Sequence, residues 1–280
     1  MKLISKNIPL NCEIALHGDT HIGNAFFHRK GLTKFISWLG EKPKSRFFVH
    51  MGDIIEAREV NHKYYRVGEM SEPIPLQQIK EAQNIYEPVK KQCLVALKGN
   101  HEDDLIRFGN LAQHFCEQLN IDYGTWTTIL TLKNNNKQLF KVFLTHKTRH
   151  KLPAGAKDYE QKRGNMVAAL KNSLKFKHGG CLVMAVGHTH KLLIVPPSKK
   201  LIISNDDKEI KQTYLSAGDG EADYIEEDRR WYVNTGSFLK LYINGIDGYA
   251  ERAGLDPIIL GYPVCIIRKG KLIDIQEVTI

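Results

Sequence analysis

Five apolar runs, Ile14-Ala15-Leu16, Phe47-Phe48-Val49, Leu94-Val95-Ala96-Leu97, Val142-Phe143-Leu144 and Leu182-Val183-Met184-Ala185-Val186, each run straight into a turn that carries Asp, Asn or His. Short apolar runs rich in β-branched and aromatic residues read as buried strands. In all five the polar residues follow the run, so the strands deliver them at the same end. Glycine stands before or within four of the turns, where it lets the backbone bend sharply. Open α/β sheets gather their binding residues at the carboxyl edge of the strands, and five such ends are expected to meet in one crevice.

The turns themselves are Gly18-Asp19-Thr20-His21, Gly52-Asp53, Gly99-Asn100-His101-Glu102, His146 and Gly187-His188-Thr189-His190. Carboxylate, imidazole and amide oxygen without a thiolate form a hard-to-borderline donor set suited to manganese, iron, zinc, nickel or magnesium. Each piece alone has a plainer reading, as a polar loop or a helix cap. Their conjunction, in order and each behind an apolar run, points to a pair of divalent ions, and such pairs serve the hydrolysis of phosphate esters.

The order, identity and spacing of these residues resemble the calcineurin-like metallophosphoesterase superfamily, with its pattern Asp-x-His, Gly-Asp, Gly-Asn-His-Asp/Glu, His and Gly-His-x-His. The resemblance runs from Asp19 to His190. It implies that Asp19, His21, Asp53 and His190 hold one metal, with Asp53 bridging, and that Asn100, His146 and His188 complete the second. It further implies two divalent ions, manganese first, and attack on phosphorus by a hydroxide bridging them. His101 would not be a ligand but would protonate the leaving oxygen. Physically, two ions about 3.5 to 4 Å apart lower the pKa of a bridging water and clamp attacking and leaving oxygens. An imidazole with a pKa near neutrality suits the proton donor.

In the protein-phosphatase branch the residue three after the bridging Asp is an acid paired with that His. The corresponding residue here is Glu56, which predicts a Glu56 to His101 contact. The branch has Arg next, whereas this chain has Ala57 and then Arg58, a departure that counts against a protein phosphatase. Asp-Thr-His-Ile-Gly is similar to the opening motif of the superfamily's DNA-repair exonucleases, although the 44 residues after Gly236 leave little room for their capping domain.

Seven histidines fall outside the pattern: His17, His28, His50, His62, His114, His150 and His178. His17 and His50 precede motif glycines and are candidates for orienting the ligands. His62 and His150 are candidates for reaching substrate.

The chain, 280 residues with 42% hydrophobic content, can bury a full core as a single domain, 1–280. Cys12, Cys93, Cys116, Cys181 and Cys265 contain no C-x-x-C pair and read as reduced thiols. With no signal-like run and no long apolar stretch, a cytoplasmic location without membrane partners is expected. Charge is uneven. Residues 147–178 carry nine basic groups against Asp158 and Glu160, a basic insertion whose Lys147, Arg149 and Lys151 follow His146 and would hold an anionic substrate with Arg58. The plainer reading is a solvated basic helix over Tyr159 to Phe176. Residues 206–228 hold nine acidic groups against Lys208 and Lys211, and the stretch 205–230 reads as an acidic loop.

Strands are predicted at 13–17, 47–50 and 94–97, helices at 33–39, 75–91 and 103–119, an α/β rhythm. Beyond Thr125 the pattern turns β-rich, with strands predicted at 126–132, 139–144, 192–195, 200–204, 212–216, 231–233, 238–243 and 264–275. Two packed mixed sheets with helices outside account for this order, and the resemblance implies the same four-layered α/β/β/α sandwich. Asn234-Thr235-Gly236-Ser237 resembles the superfamily's turn that closes the second sheet beneath the site.

Three functions follow. The first is a phosphodiesterase or nuclease acting on nucleic acid or a nucleotide derivative. The alternative is a phosphomonoesterase of the protein or dinucleoside-polyphosphate phosphatase kind. The third, a binding module without activity, is disfavoured because every ligand and His101 are present.

Overall fold

The computed structural model describes residues 1–149, 157–205, 207–215, 218 and 220–280. The first half contains β1 (Lys2–Asn7), β2 (Cys12–His17), α1 (Arg29–Glu41), β3 (Arg46–His50), α2 (Pro75–Tyr86), β4 (Cys93–Ala96), α3 (Asn100–Asp104) and α4 (Leu111–Leu119). The second contains β5 (Thr127–Asn134), β6 (Lys137–Thr145), α5 (Tyr159–Leu174), β7 (Val183–Val186), β8 (Leu192–Val195), β9 (Lys200–Asn205), β10 (Ile210–Leu215), β11 (Trp231–Thr235), α6 (Tyr249–Arg252), β12 (Gly261–Arg268) and β13 (Lys271–Thr279).

Two sheets carry the fold: a five-stranded sheet in the order β13-β12-β2-β3-β4 and a six-stranded sheet in the order β1-β5-β6-β7-β11-β8. β2, β3 and β4 are mutually parallel, with Leu16 beside Val49 and His17 beside His50. β6, β7 and β11 are parallel in the other sheet.

Side chains of a strand alternate between faces, and both sheets are covered on both sides. Ile14, Leu16, Val49 and Val95 meet Leu130, Val142, Leu144, Val183 and Val233 in a core between the sheets. Ala15, Phe48 and Ala96 face outward onto Leu32, Phe35 and Leu39 of α1, Ile79 of α2 and Phe115 of α4. On the opposite outside, Leu170 and Leu174 of α5 pack on Ile129, Phe143, Met184 and Val186. The result is the expected α/β/β/α sandwich.

The basic stretch beginning at 147 contains α5, the crossover that two neighbouring parallel strands require, here β6 and β7. The acidic stretch is not one loop: it includes β10, paired antiparallel with β9, and Asp228, which bonds Lys171 at 3.2 Å and pairs with Lys200 at 3.2 Å.

Four predicted elements differ. The helix over 103–119 is broken, because Gly109 takes φ 119° and Asn110 starts α4 afresh, its side chain accepting from Gln113 N at 3.1 Å. Residues 238–243 form no strand; Leu239 makes an isolated bridge with Phe27. The stretch 264–275 is part of a hairpin, turned at Lys269 and Gly270, both with positive φ. The predicted helix 75–91 changes to a 3-10 turn at Glu87–Gln92, where Pro88 removes a helical N–H. β1, which pairs in parallel with β5, has no counterpart among the predicted strands.

Candidate metal centre

The turns after β2, β3 and β4 from one sheet, and after β6 and β7 from the other, meet at the open end of the sandwich. Asp19, His21, Asp53 and His190 each place one donor atom within 4.8 Å of the others, as do Asp53, His146 and His188. Asp53 belongs to both groups.

The loops brace each other through backbone hydrogen bonds: Asp19 N to Gly52 O at 2.9 Å, Thr20 N to Asp53 O at 2.9 Å, His21 N to Asp53 O at 3.1 Å and Ile22 N to Ile54 O at 3.0 Å. This bracing fixes strained backbone. Asp19, His21, Asp53, His188 and His190 have φ between 49° and 69°, a left-handed conformation that costs a non-glycine residue about 1–2 kcal/mol. Such strain persists only where surrounding structure enforces it, and it concentrates at functional sites. The Ser237 region adds a clamp from behind. Ser237 Oγ and Phe238 N both donate to the Asp19 carbonyl, at 3.0 and 3.1 Å.

Two glycines make room. A Cβ on Gly99 would lie 2.0 Å from Asp53 Oδ1, and one on Gly52, which has φ 97°, would lie 2.7 Å from His146 Nδ1. Glu102 ties the second and third turns together. Its carboxylate accepts from Ile55 N at 3.0 Å and Gly99 N at 2.8 Å. Sequence reasoning did not single out this residue, although a Glu three residues into a helix is a recognisable capping signal.

The imidazoles are aimed. His146 Nδ1 donates to the Met51 carbonyl at 2.8 Å. Its Nε2 then faces Asn100 Oδ1 at 3.1 Å and Asp53 Oδ2 at 3.3 Å. His21 Nδ1 bonds the Glu56 carboxylate at 3.1 Å. That leaves His21 Nε2 facing His190 Nε2 at 3.1 Å and Asp53 Oδ2 at 3.8 Å.

Imidazole nitrogens and carboxylate and amide oxygens thus converge in a buried place, and Asp19 Oδ1 is buried without a hydrogen bond. This donor set fits divalent metals held by nitrogen and oxygen. A third grouping, His21, Glu56 and His101, is already closed by hydrogen bonds.

His101 lies beside the clusters, its ring 4.5 Å from that of His21. Its Nδ1 donates to the backbone carbonyl of Glu56 at 2.5 Å, while the Glu56 carboxylate stands 3.7 Å away. Glu56 instead supports His21 and accepts from Arg58 Nε.

Burial acts on every group. It would lower His101, but the carboxylates of Asp53 and Glu56 outweigh it and raise its pKa above the ordinary value. His146 is likewise pushed up to about 9, burial being outweighed by Asp53. His188 is lowered to about 4 by burial and by His146.

His50 has a role in bracing. Its Nδ1 accepts from Gly52 N at 3.3 Å, and its Nε2 lies 3.4 Å from Thr20 Oγ1. The His17 ring lies 4.6 Å from that of His50 and 5.6 Å from that of Phe238, centroid to centroid. His28 caps α1, accepting from Gly31 N at 2.7 Å.

A cavity of about 560 Å³ opens from His21, His101, His188 and His190. Arg58 lines it, whereas Lys147 and Arg149 lie outside it and are exposed. Lys147 is close enough to His188 to lower its pKa. His62 sits behind Arg58, 3.5 Å from Nη1. His150 and Lys151 lie outside the described residues.

The family model for calcineurin-like phosphoesterases matches residues 13–192, and the chain belongs to that family. The domain is that of phosphate-ester hydrolases, and its His and Asp clusters could hold divalent metal ions. Among curated proteins none matches. Among solved structures, the NAD nucleotidase of Haemophilus influenzae is similar at 12% identity over 96% of this chain and 49% of that chain, with a TM-score of 0.38. The chain thus spans about half the length of that protein. Among the described residues no helix is long and apolar enough to cross a membrane.

Proposed function

We propose that this protein is a phosphodiesterase acting on a nucleotide derivative or nucleic acid, with two divalent ions, manganese first among them. Asp19, His21, Asp53 and His190 hold one ion, and Asp53, Asn100, His146 and His188 the other. The observation that carries the reading is the pair of donor groups sharing Asp53, with His101 beside them and a cavity beyond.

When bound, the ions supply an activated water and neutralise charge on the phosphoryl oxygens. The chain's own residues do the rest. The Met51 carbonyl and the Glu56 carboxylate fix the tautomers of His146 and His21, so each offers Nε2. With Nδ1 of His101 engaged by the Glu56 carbonyl, Nε2 is the atom left to hand a proton to the departing ester oxygen. The carboxylates of Asp53 and Glu56 favour the doubly protonated ring, the form that carries that proton. Arg58, anchored by Glu56, presents its guanidinium to the anion. A diester is favoured because the cavity continues past His101 and can seat a second ester group.

A manganese-supplemented panel tests this: single- and double-stranded DNA, RNA, cyclic nucleotides, dinucleoside polyphosphates, an aryl phosphate monoester and its diester. Turnover of at least one diester class above the monoester is expected. Hydrolysis of the monoester alone would replace the reading with a phosphomonoesterase.

A further inference from the structure

Much of the cavity lining comes from parts of the chain that none of the five motifs contains. Residues 249–256 run between ties to Tyr64 and Glu69 on one side and to α5 on the other. Arg252 pairs with Glu69 at 2.6 Å, and Tyr249 meets Tyr64 edge-on with ring centroids 5.8 Å apart. On the other side Asp256 bonds Lys162 of α5 at 2.6 Å. α5 presents Tyr159, Lys162, Arg163 and Met166 to the cavity, a stripe at the spacing of one helical face.

We propose that this tied segment is a specificity strap: it admits small phosphate esters bearing a planar aromatic group and seats that group against Tyr64 and Tyr249. The proposal rests on the reading of the adjoining centre as a phosphoesterase site.

Tyr64 and Tyr249 are 46% and 54% exposed although both line the cavity. Aromatic surface left open inside a concave site, rimmed by cations, marks a place for a ligand's apolar part. The Arg58 guanidinium lies 5.7 Å from the Tyr64 ring centre, so one arginine borders both the phosphate end and the aromatic wall. A volume of about 560 Å³ falls in the small-molecule range of roughly 300–1,000 Å³.

The test is equilibrium binding of AMP and of ribose 5-phosphate to the manganese-loaded protein, which does not depend on turnover. Failure of the hydrolytic reading would show in the substrate panel, and failure of the strap here. AMP should bind about tenfold more tightly or better, as base stacking on an aromatic side chain provides. In the Tyr64→Ala, Tyr249→Ala double variant the ratio should fall towards one. Both side chains are half-exposed, so truncation leaves the core intact, and a merely structural role would weaken both ligands alike and preserve the ratio. Equal binding of the two compounds by the unaltered protein, persistence of the ratio in the variant, or tighter binding of a long single-stranded oligonucleotide than of AMP would each overturn the proposal.

Discussion

The Glu56 carboxylate bonds Nδ1 of His21 at 3.1 Å and stands 3.7 Å from Nδ1 of His101. Its nearer partner is therefore a proposed metal donor, and its backbone carbonyl, not its side chain, accepts from His101 Nδ1. Glu56→Gln should lower manganese affinity by about 10- to 100-fold, the usual effect of removing a group that orients a ligand. Competition with a chelating dye measures it. Unchanged affinity with a fall in kcat alone would reassign Glu56 to His101.

Asp53 and His101 should separate cleanly. Asp53→Asn removes the one carboxylate common to both donor groups, and neither ion should remain at stoichiometric occupancy by elemental analysis. His101→Gln should keep both ions and lose about 100- to 10,000-fold in kcat, the contribution of a positioned proton donor.

Metal affinity should rise with pH through neutrality. In the metal-free protein His146 is raised to about 9, so below that pH its Nε2 holds a proton that a cation must displace. Binding should release close to one proton from this residue at pH 7, and the apparent affinity should climb up to about tenfold per pH unit until pH 9. His188, lowered to about 4, adds nothing in this window. Calorimetry in buffers of differing ionisation enthalpy reads the proton directly, and affinity independent of pH between 7 and 9 would contradict the account.

Gly99→Ala tests steric closeness without backbone strain, since Gly99 has φ −99°, open to any residue. Its new Cβ would lie 2.0 Å from Asp53 Oδ1. It would also lie 2.1 Å from the Asp53 backbone N, so the Asp53 turn itself must shift, at a cost of about 1–3 kcal/mol as for other overpacked sites, seen as a lower Tm and reduced ion retention. A variant matching the wild type in both would show that the loop gives way freely.

Much of this architecture is legible in the chain because strand ends announce themselves locally: an apolar run such as Val142 to Leu144 followed by His146 needs no distant information. Donor identity is equally local. The cavity wall is not, since Tyr64, Tyr159 and Tyr249 share no periodicity and are brought together only by tertiary ties such as Lys162 to Asp256. The broken helix at Gly109 and the unformed strand at 238–243 have a similar cause. Leu105, Phe108, Leu111 and Phe115 keep helical spacing across the break, and the Phe238 ring is buried against Phe35 and Tyr262 while its N–H bonds the Asp19 carbonyl and no sheet ladder. Nor does composition show that Asp19, His21, Asp53, His188 and His190 adopt left-handed backbone, because that strain is imposed by neighbouring loops.

Each donor group draws on both sheets: Asp19, His21 and Asp53 follow strands of one, while His146, His188 and His190 follow strands of the other. Cations captured there would act as rivets across the seam between the two halves of the molecule. Chelation should therefore loosen the body of the protein as well as silence it, with a melting temperature that climbs as free manganese is raised above its dissociation constant.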